Sequence, residues 1–463
     1  MKYTILVNKE NKIKDNYKCN LISTNNELNE EVKVEENAYN NYLKLKEFLK
    51  EKNIFIDIDD SYRSIDTQQE IYNHYLELNG QDYCDNYVAV PGYSEHHTGL
   101  AIDIMLKIDN IFMREDIDLL KYTDVFKVIH ENLYKYGFIL RYPLGKENIT
   151  GYNYEPWHLR YVGELPAKII YDNKLCLEEY LKDFETILYI NKPKGITSFD
   201  VVNKISRIFG IKRVGHTGTL DPLATGVLIV TVGKACRIVE LLTSKDKEYV
   251  ASCELGYITD TLDNTGNIID KCEVKDNLNI EKVLSCFQKT YLQEVPIYSA
   301  VKVDGKKLYE YARENKEVEL PKKEVTIKRI ELLEKTDSTF KFKCLVSKGC
   351  YIRSLIRDIG KEINTYITMT DLMRTKQGII SIDDTITLDD LSVDKIKMHS
   401  ILDVLDYPKV LVEDELYKKI YNGMVIEDKW SVTDKIVFVD KNNRLIAIYK
   451  KDDNKLKSYR NFI

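Results

Sequence analysis

The stretch GHTGTLDPLATGVLIV, residues 215–230, opens as a glycine-punctuated loop and closes as an apolar run. Gly215, Gly218 and Gly226 bracket a loop that presents His216, Asp221 and Thr225 at the mouth of a strand of the LIV type. A carboxylate held at a strand entrance can serve as nucleophile, base or metal ligand. Taken alone, Asp-Pro in such a loop is more often a turn former. What this loop does therefore depends on the residues around it.

Outward from that loop, the 463 residues correspond, at roughly 100–200 per domain, to two to four domains. The composition is 44% hydrophobic and 31% charged, which excludes a disordered, collagen-like or coiled-coil chain. No run approaches the ~18 apolar residues of a membrane span. The opening MKYTILVNKENKIKD reads as no export signal, so a cytoplasmic location is expected. Nine scattered cysteines without a CxxC pair fit reduced thiols. Residues 1–185 carry 22 basic against 33 acidic residues and residues 186–463 carry 46 against 41. This change of sign makes the second half the better partner for a polyanion.

Periodicity predicts a helix over 38–50, a strand over 54–59, a turn-rich 80–103, a helix over 120–136 and a helical 177–185. It further predicts a helix over 199–209, capped by Thr197 or Ser198, with Phe199, Val202, Ile205 and Phe209 toward a core. A strand at 340–346, a helix at 354–363 and a hairpin pairing 436–440 with 445–449 complete the reading. The mixture gives an α+β expectation for both halves.

In the first half, PGYSEHHTGLAIDI and YNYEPWHLRYVG together supply His96, Asp103, Glu155 and His158. Two imidazoles and a carboxylate leave a fourth zinc position open, and a nearby glutamate can act as base without ligating. Ser94-x-His96-x-x-Gly99-x-Ala101-x-Asp103 with Glu155-Pro-Trp157-His158 resembles the VanY-type zinc D-alanyl-D-alanine carboxypeptidases over roughly residues 1–183. That resemblance implies zinc on His96, Asp103 and His158, Glu155 as general base, and Arg63 of SYRS on the substrate's terminal carboxylate. The family usually has glycine where Ser61 stands. His97, His74 and His130 are read as non-ligands.

In the second half, four ordered segments resemble bacterial tRNA pseudouridine synthase B from about Ile187 to the end. They are NKPKGITSFDVV at 191–202, KEYVASCELGYITDTLDNTG at 247–266, PIYSAVKVDGKKLYEYAR at 296–313 and SKGCYIRSLIRDIG at 347–360, with the 215–230 loop among them. The resemblance implies isomerisation of a T-loop uridine, position 55, with Asp221 as the catalytic aspartate. It implies that Tyr249 stacks on the base and helps remove a proton, that Tyr351 lines the pocket and that Arg353 pairs with Asp221 and keeps it ionised. His216 would support the flipped loop and Leu372 would pack near the base. In LMRTKQG, Met373 stands where the family more often has arginine. Lys302, Lys306, Lys307, Lys322, Lys323, Lys328 and Arg329 form a basic band open to a phosphate-contact or a solvated-face reading.

The expected architecture is α+β multidomain. A zinc D,D-peptidase-like domain (1–185) is fused to a pseudouridine synthase catalytic domain with a mixed sheet (186–400), followed by a small β-rich module (401–463) resembling the PUA domain. The expected partners are tRNA through its T arm and a small D-Ala-terminated peptide. No membrane is expected, a monomer suffices, and the synthase needs no cofactor. Three alternatives stay open: a non-catalytic first half, two adjacent genes read as one, and a second half that only chaperones tRNA.

Overall fold

The computed structural model describes residues 3–114, 117–275 and 278–462. Met1, Lys2 and Ile463, which the readings of the two chain ends include, lie outside the described residues. The chain forms two compact units. The first comprises the residues up to Phe184 with 204–213 and 392–394, and the second holds the rest from Glu185 onward.

In the first unit the helix Glu36–Lys50 buries Ala38, Tyr42, Leu45 and Leu49, the spacing expected of one helical face. That face packs on an antiparallel sheet ordered Ile56–Asp60, Ala101–Ile108, His158–Tyr161 and Phe138–Leu140, with Ile111–Met113 pairing beside Ala101–Ile108. The turn-rich 80–103 contains more order than expected: a helix Gln81–Tyr87, a 3-10 turn Glu95–Thr98 and the start of the Ala101–Ile108 strand. All of the first six residues of that strand are buried, so it shows no polar alternation to betray it. The segment 120–136 is not one helix but a helix Thr123–His130 and a 3-10 turn Leu133–Tyr136, closed by Gly137 at φ +75.

In the second unit a nine-stranded mixed sheet runs Thr290–Glu294, Lys322–Lys335, Thr339–Val346, Lys247–Leu255, Ile367–Gln377, Thr225–Gly233 and Glu185–Lys192, with two short strands at its side. Thr225–Gly233 and Ile367–Gln377 pair parallel and the other neighbours pair antiparallel. Gly226, at φ +101, permits the parallel contact, because a Cβ there would lie 2.2 Å from the Arg374 carbonyl oxygen. The hairpin Lys435–Val439 with Leu445–Asp452 belongs to a five-stranded C-terminal sheet. Its Val437, Val439 and Ile448 share one core with Ile187, Tyr189, Val227 and Ile229.

The helix Ser198–Phe209 forms as expected, and the Asp200 amide donates to Thr197 Oγ1 at its start. Phe199, expected toward a core, is instead 66% exposed. At 100° per residue it lies roughly 100° from the centre of the stripe made by Val201, Val202, Ile205 and Phe209.

Candidate active sites

The first-unit site is built on one register. Asp103 and His158 are directly opposed on adjacent antiparallel strands, so their side chains leave the same face together. His96 arrives from the 3-10 turn Glu95–Thr98, whose closing Gly99 adopts φ +68 and turns the chain into the Asp103 strand. His96 Nε2 lies 3.0 Å from Asp103 Oδ2 and His158 Nδ1 lies 3.0 Å from Asp103 Oδ1. One ligand atom from each residue falls within 4.8 Å of the others, and all three residues are buried.

His96 Nδ1 donates to the Ser61 carbonyl at 2.5 Å, which turns Nε2 toward the cluster. Ser61, in the place of a family glycine, is fully buried and its hydroxyl donates to the Ala101 carbonyl at 2.7 Å. His97 accepts from the Gly92 amide and donates to the Arg63 carbonyl, so both its nitrogens are engaged elsewhere. His130 bonds the Pro156 carbonyl and His74 packs on Tyr75.

Glu155 Oε2 stands 3.6 Å from His158 Nδ1, and burial pushes its carboxyl up to about 8. Burial alone would depress His158, but the Asp103 carboxylate outweighs it and raises the imidazole to about 10. Burial works against ionised Asp103 too, yet the two histidines hold its carboxyl well below the usual range. Arg63 Nη2 donates to Asp103 Oδ2 at 3.1 Å and its Nε to Asp60 at 2.6 Å. A cavity of about 690 Å³ opens here, lined by Arg63, His96, Glu155 and His158 with Tyr75, Tyr154 and other aromatic side chains. Asp103 Oδ1 and His158 Nε2 are buried without a hydrogen-bond partner. The orphaned Asp103 Oδ1 beside a two-imidazole, one-carboxylate donor set fits a divalent cation of the zinc type.

Sequence reasoning missed the layer beneath. Glu95 is 2% exposed, and its Oε1 accepts from Arg141 Nε at 2.8 Å and from Arg160 Nη1, both arginines being fully buried. Burial would favour neutral Glu95, but the two guanidiniums hold its carboxyl far below the usual range.

In the second unit Asp221 sits on the loop between Val214–His216 and Thr225–Gly233. Arg353, on the first turn of the helix Ile352–Ile363, places Nη2 2.8 Å from Asp221 Oδ2. The same guanidinium donates to the Thr261 and Tyr298 carbonyls at 2.9 and 3.0 Å, so it is fixed from three sides. The guanidinium lies against Asp221 and favours its ionised form. Burial raises that carboxyl, and the guanidinium opposes the rise without cancelling it. Tyr351, the residue that caps this helix, is near enough that Asp221 raises its phenol electrostatically, after burial.

Tyr249 is directly opposed to Arg374 and Ala251 to Leu372 on neighbouring strands. Arg374, 1% exposed, was not singled out from the sequence. Its charge opposes the rise that burial causes in the Tyr249 phenol, and it donates to the Gly218 and Val227 carbonyls, tying the Asp221 loop to the sheet. His216 Nδ1 accepts from the Gly218 amide, and burial followed by the Arg374 charge lowers its pKa. Leu372 is buried, and its carbonyl accepts from Thr225 at 3.5 Å. Of the basic band, Lys306, Lys328 and Arg329 are paired with Glu314, Asp246 and Glu248.

The second unit thus carries an arginine-held aspartate on a loop of a mixed sheet. Residues 206–352 match the TruB family pseudouridylate synthase N-terminal domain, and residues 31–164 match VanY D-alanyl-D-alanine carboxypeptidase. The chain is 40% identical over 291 residues to tRNA pseudouridine synthase B of Bacillus pumilus, covering 58% of this chain and 94% of that protein. It is 41% identical over 288 residues to the Clostridium kluyveri protein of the same name, covering 60% and 99%. The chain belongs to the tRNA pseudouridine synthase B family and carries an N-terminal VanY-family domain. Among solved structures it is similar to a Cbf5–Nop10–Gar1 complex (25% identity, TM-score 0.47, 60% of this chain and 85% of that one). It is also similar to a vancomycin-resistance D,D-pentapeptidase VanY with Zn(II) (34% identity, TM-score 0.34, 39% and 100%). Among the described residues no helix is long and apolar enough to cross a membrane.

Proposed function

We propose that this chain is a cytoplasmic bifunctional enzyme that converts the T-loop uridine at position 55 of tRNA to pseudouridine and removes D-alanine from small D-Ala-terminated peptides. The observation that carries the first activity is the 2.8 Å pair of Asp221 with an arginine fixed on two carbonyls. Once the uridine leaves its stack, Asp221 attacks the ribose or promotes glycosidic cleavage, and the freed uracil rotates and rejoins through carbon. Tyr249 stacks on the base and assists loss of the proton, Tyr351 closes the pocket, His216 supports the displaced loop and Leu372 packs near the ring. No metal or redox group takes part in this half.

In the first unit His96, Asp103 and His158 would hold zinc, which would polarise the scissile carbonyl and acidify the attacking water. Arg63 grips the terminal carboxylate of the peptide. Glu155, held 3.6 Å from His158 Nδ1, takes the proton of water and passes it to the leaving amine. The domain limits we propose are 1–185, 186–400 and 401–463. The experiment is release of free D-alanine from D-Ala-D-Ala-terminated peptides by the full chain, with and without a zinc chelator. Chelator-sensitive release lost in Glu155→Gln supports the peptidase, and no release from zinc-containing protein rejects these peptides as substrates.

A further inference from the structure

Beneath the His96–Asp103–His158 cluster, the buried carboxylate of Glu95 has one oxygen spoken for and one not. Oε1 takes both arginine bonds, whereas Oε2 has no hydrogen-bond partner and points to His158 Nε2 at 3.8 Å. His158 Nε2 is likewise buried and without a hydrogen bond, while Nδ1 on the other side of the ring faces Asp103 and Glu155. The ring has little freedom to choose otherwise: Tyr142 packs on it at 4.8 Å and the His96 ring meets it edge-on at 5.0 Å. The arginines are anchored in turn. Arg141 forks onto Glu178 at 2.6 and 2.9 Å, and Arg160 donates to the Tyr3 and Ile5 carbonyls.

Building an ionised carboxylate into a dry interior is costly, and two buried guanidiniums are spent on it here. A scaffold needing only to bury Arg141 and Arg160 would leave no acceptor pointed at a histidine nitrogen. We propose that Glu95 is a positioning residue. It sets a carboxylate oxygen before His158 Nε2, favours the tautomer that carries its proton there and offers Nδ1 to the metal, and thereby sets metal affinity. The inference rests on the zinc reading above and goes beyond it by assigning Glu95 the orientation of His158. Carboxylates behind ligating imidazoles typically change metal affinity 10–100-fold.

The test uses the full-length protein and Zn(II) itself, titrated against a competing chelator. Glu95→Gln is expected to bind zinc about 10–100-fold more weakly, whereas Glu178→Gln, which loosens Arg141 without facing His158, stays within about threefold. Equal zinc affinity in folded Glu95→Gln and wild type would overturn the proposal. If Glu95→Gln does not fold, the wild type still decides. Selective 15N-histidine spectra of the zinc-loaded chain must show His158 protonated at Nε2, and protonation at Nδ1 overturns it. A wild type that binds no zinc at micromolar concentration overturns both this inference and the peptidase reading, while weakened binding in Glu95→Gln supports both.

Discussion

Asp221 and Arg353 lie 132 positions apart in sequence yet meet at 2.8 Å, and their contact sets a testable pH dependence. The proposed reaction uses the carboxylate, and burial lifts the Asp221 pKa above the usual value, so activity is expected to fall on the acid side earlier than for an exposed aspartate. Arg353 pulls in the opposite direction, so Arg353→Met is expected to move the acid limb of the rate profile to higher pH; an unmoved limb would mean that another group governs it. Asp221→Asn is expected to lower pseudouridine formation by at least about 10²–10⁴-fold while tRNA binding survives, read by gel shift beside a modification assay. Survival of modification would remove Asp221 from the mechanism. At this scale the candidate metal cluster was legible because its residues lie in compact motifs, His96 and Asp103 within eight residues and Glu155 and His158 within four. Glu95 was adjacent to a legible ligand and still missed. Its meaning comes from Arg141 and Arg160, 46 and 65 positions away, and periodicity does not report such pairings.

Secondary elements show which patterns carry information. The Glu36–Lys50 helix and the Thr339–Val346 strand were legible because each buries one face only, leaving a 3.6- or 2-residue period. Ala101–Ile108 hid because burial on both faces erases the alternation. Gly226 was read as a loop glycine, but its structural meaning is the approach of two parallel strands. Gly226→Ala is expected to destabilise the chain by at least about 2 kcal/mol, measured by thermal unfolding, because φ +101 and the 2.2 Å contact both forbid a side chain. At the start of the Glu185–Lys192 strand, burial raises Glu185 to about 7, only partly offset by Lys234 and Arg237. Between an unfolded value near 4.5 and this folded value the native state binds the extra proton, so stability declines as pH rises across that window and then levels off. The shift corresponds to at most about 3 kcal/mol. Glu185→Gln should therefore raise the unfolding temperature at pH 8 more than at pH 5; an equal change at both pH values would rule out ionisation as the cause.

Across the whole molecule, the two candidate sites lie in different compact units, each with its own core and its own chemistry. If each unit does its chemistry alone, the two activities separate cleanly by mutation. Glu155→Gln should abolish D-alanine release and leave pseudouridine formation within about twofold, and Asp221→Asn should do the reverse. Charge separates them further. The excess of acidic residues lies in 1–185 and the excess of basic residues in 186–463, so only the second activity has a polyanion to hold. Release of counterions from tRNA makes its binding fall steeply with salt, whereas the peptide carboxylate proposed to sit on Arg63 inside a cavity would be screened far less. Raising salt from about 50 to 200 mM should weaken tRNA binding by orders of magnitude while D-alanine release changes by less than about threefold. D-alanine release that falls as steeply with salt as tRNA binding would overturn the placing of the peptide carboxylate in a screened site on Arg63.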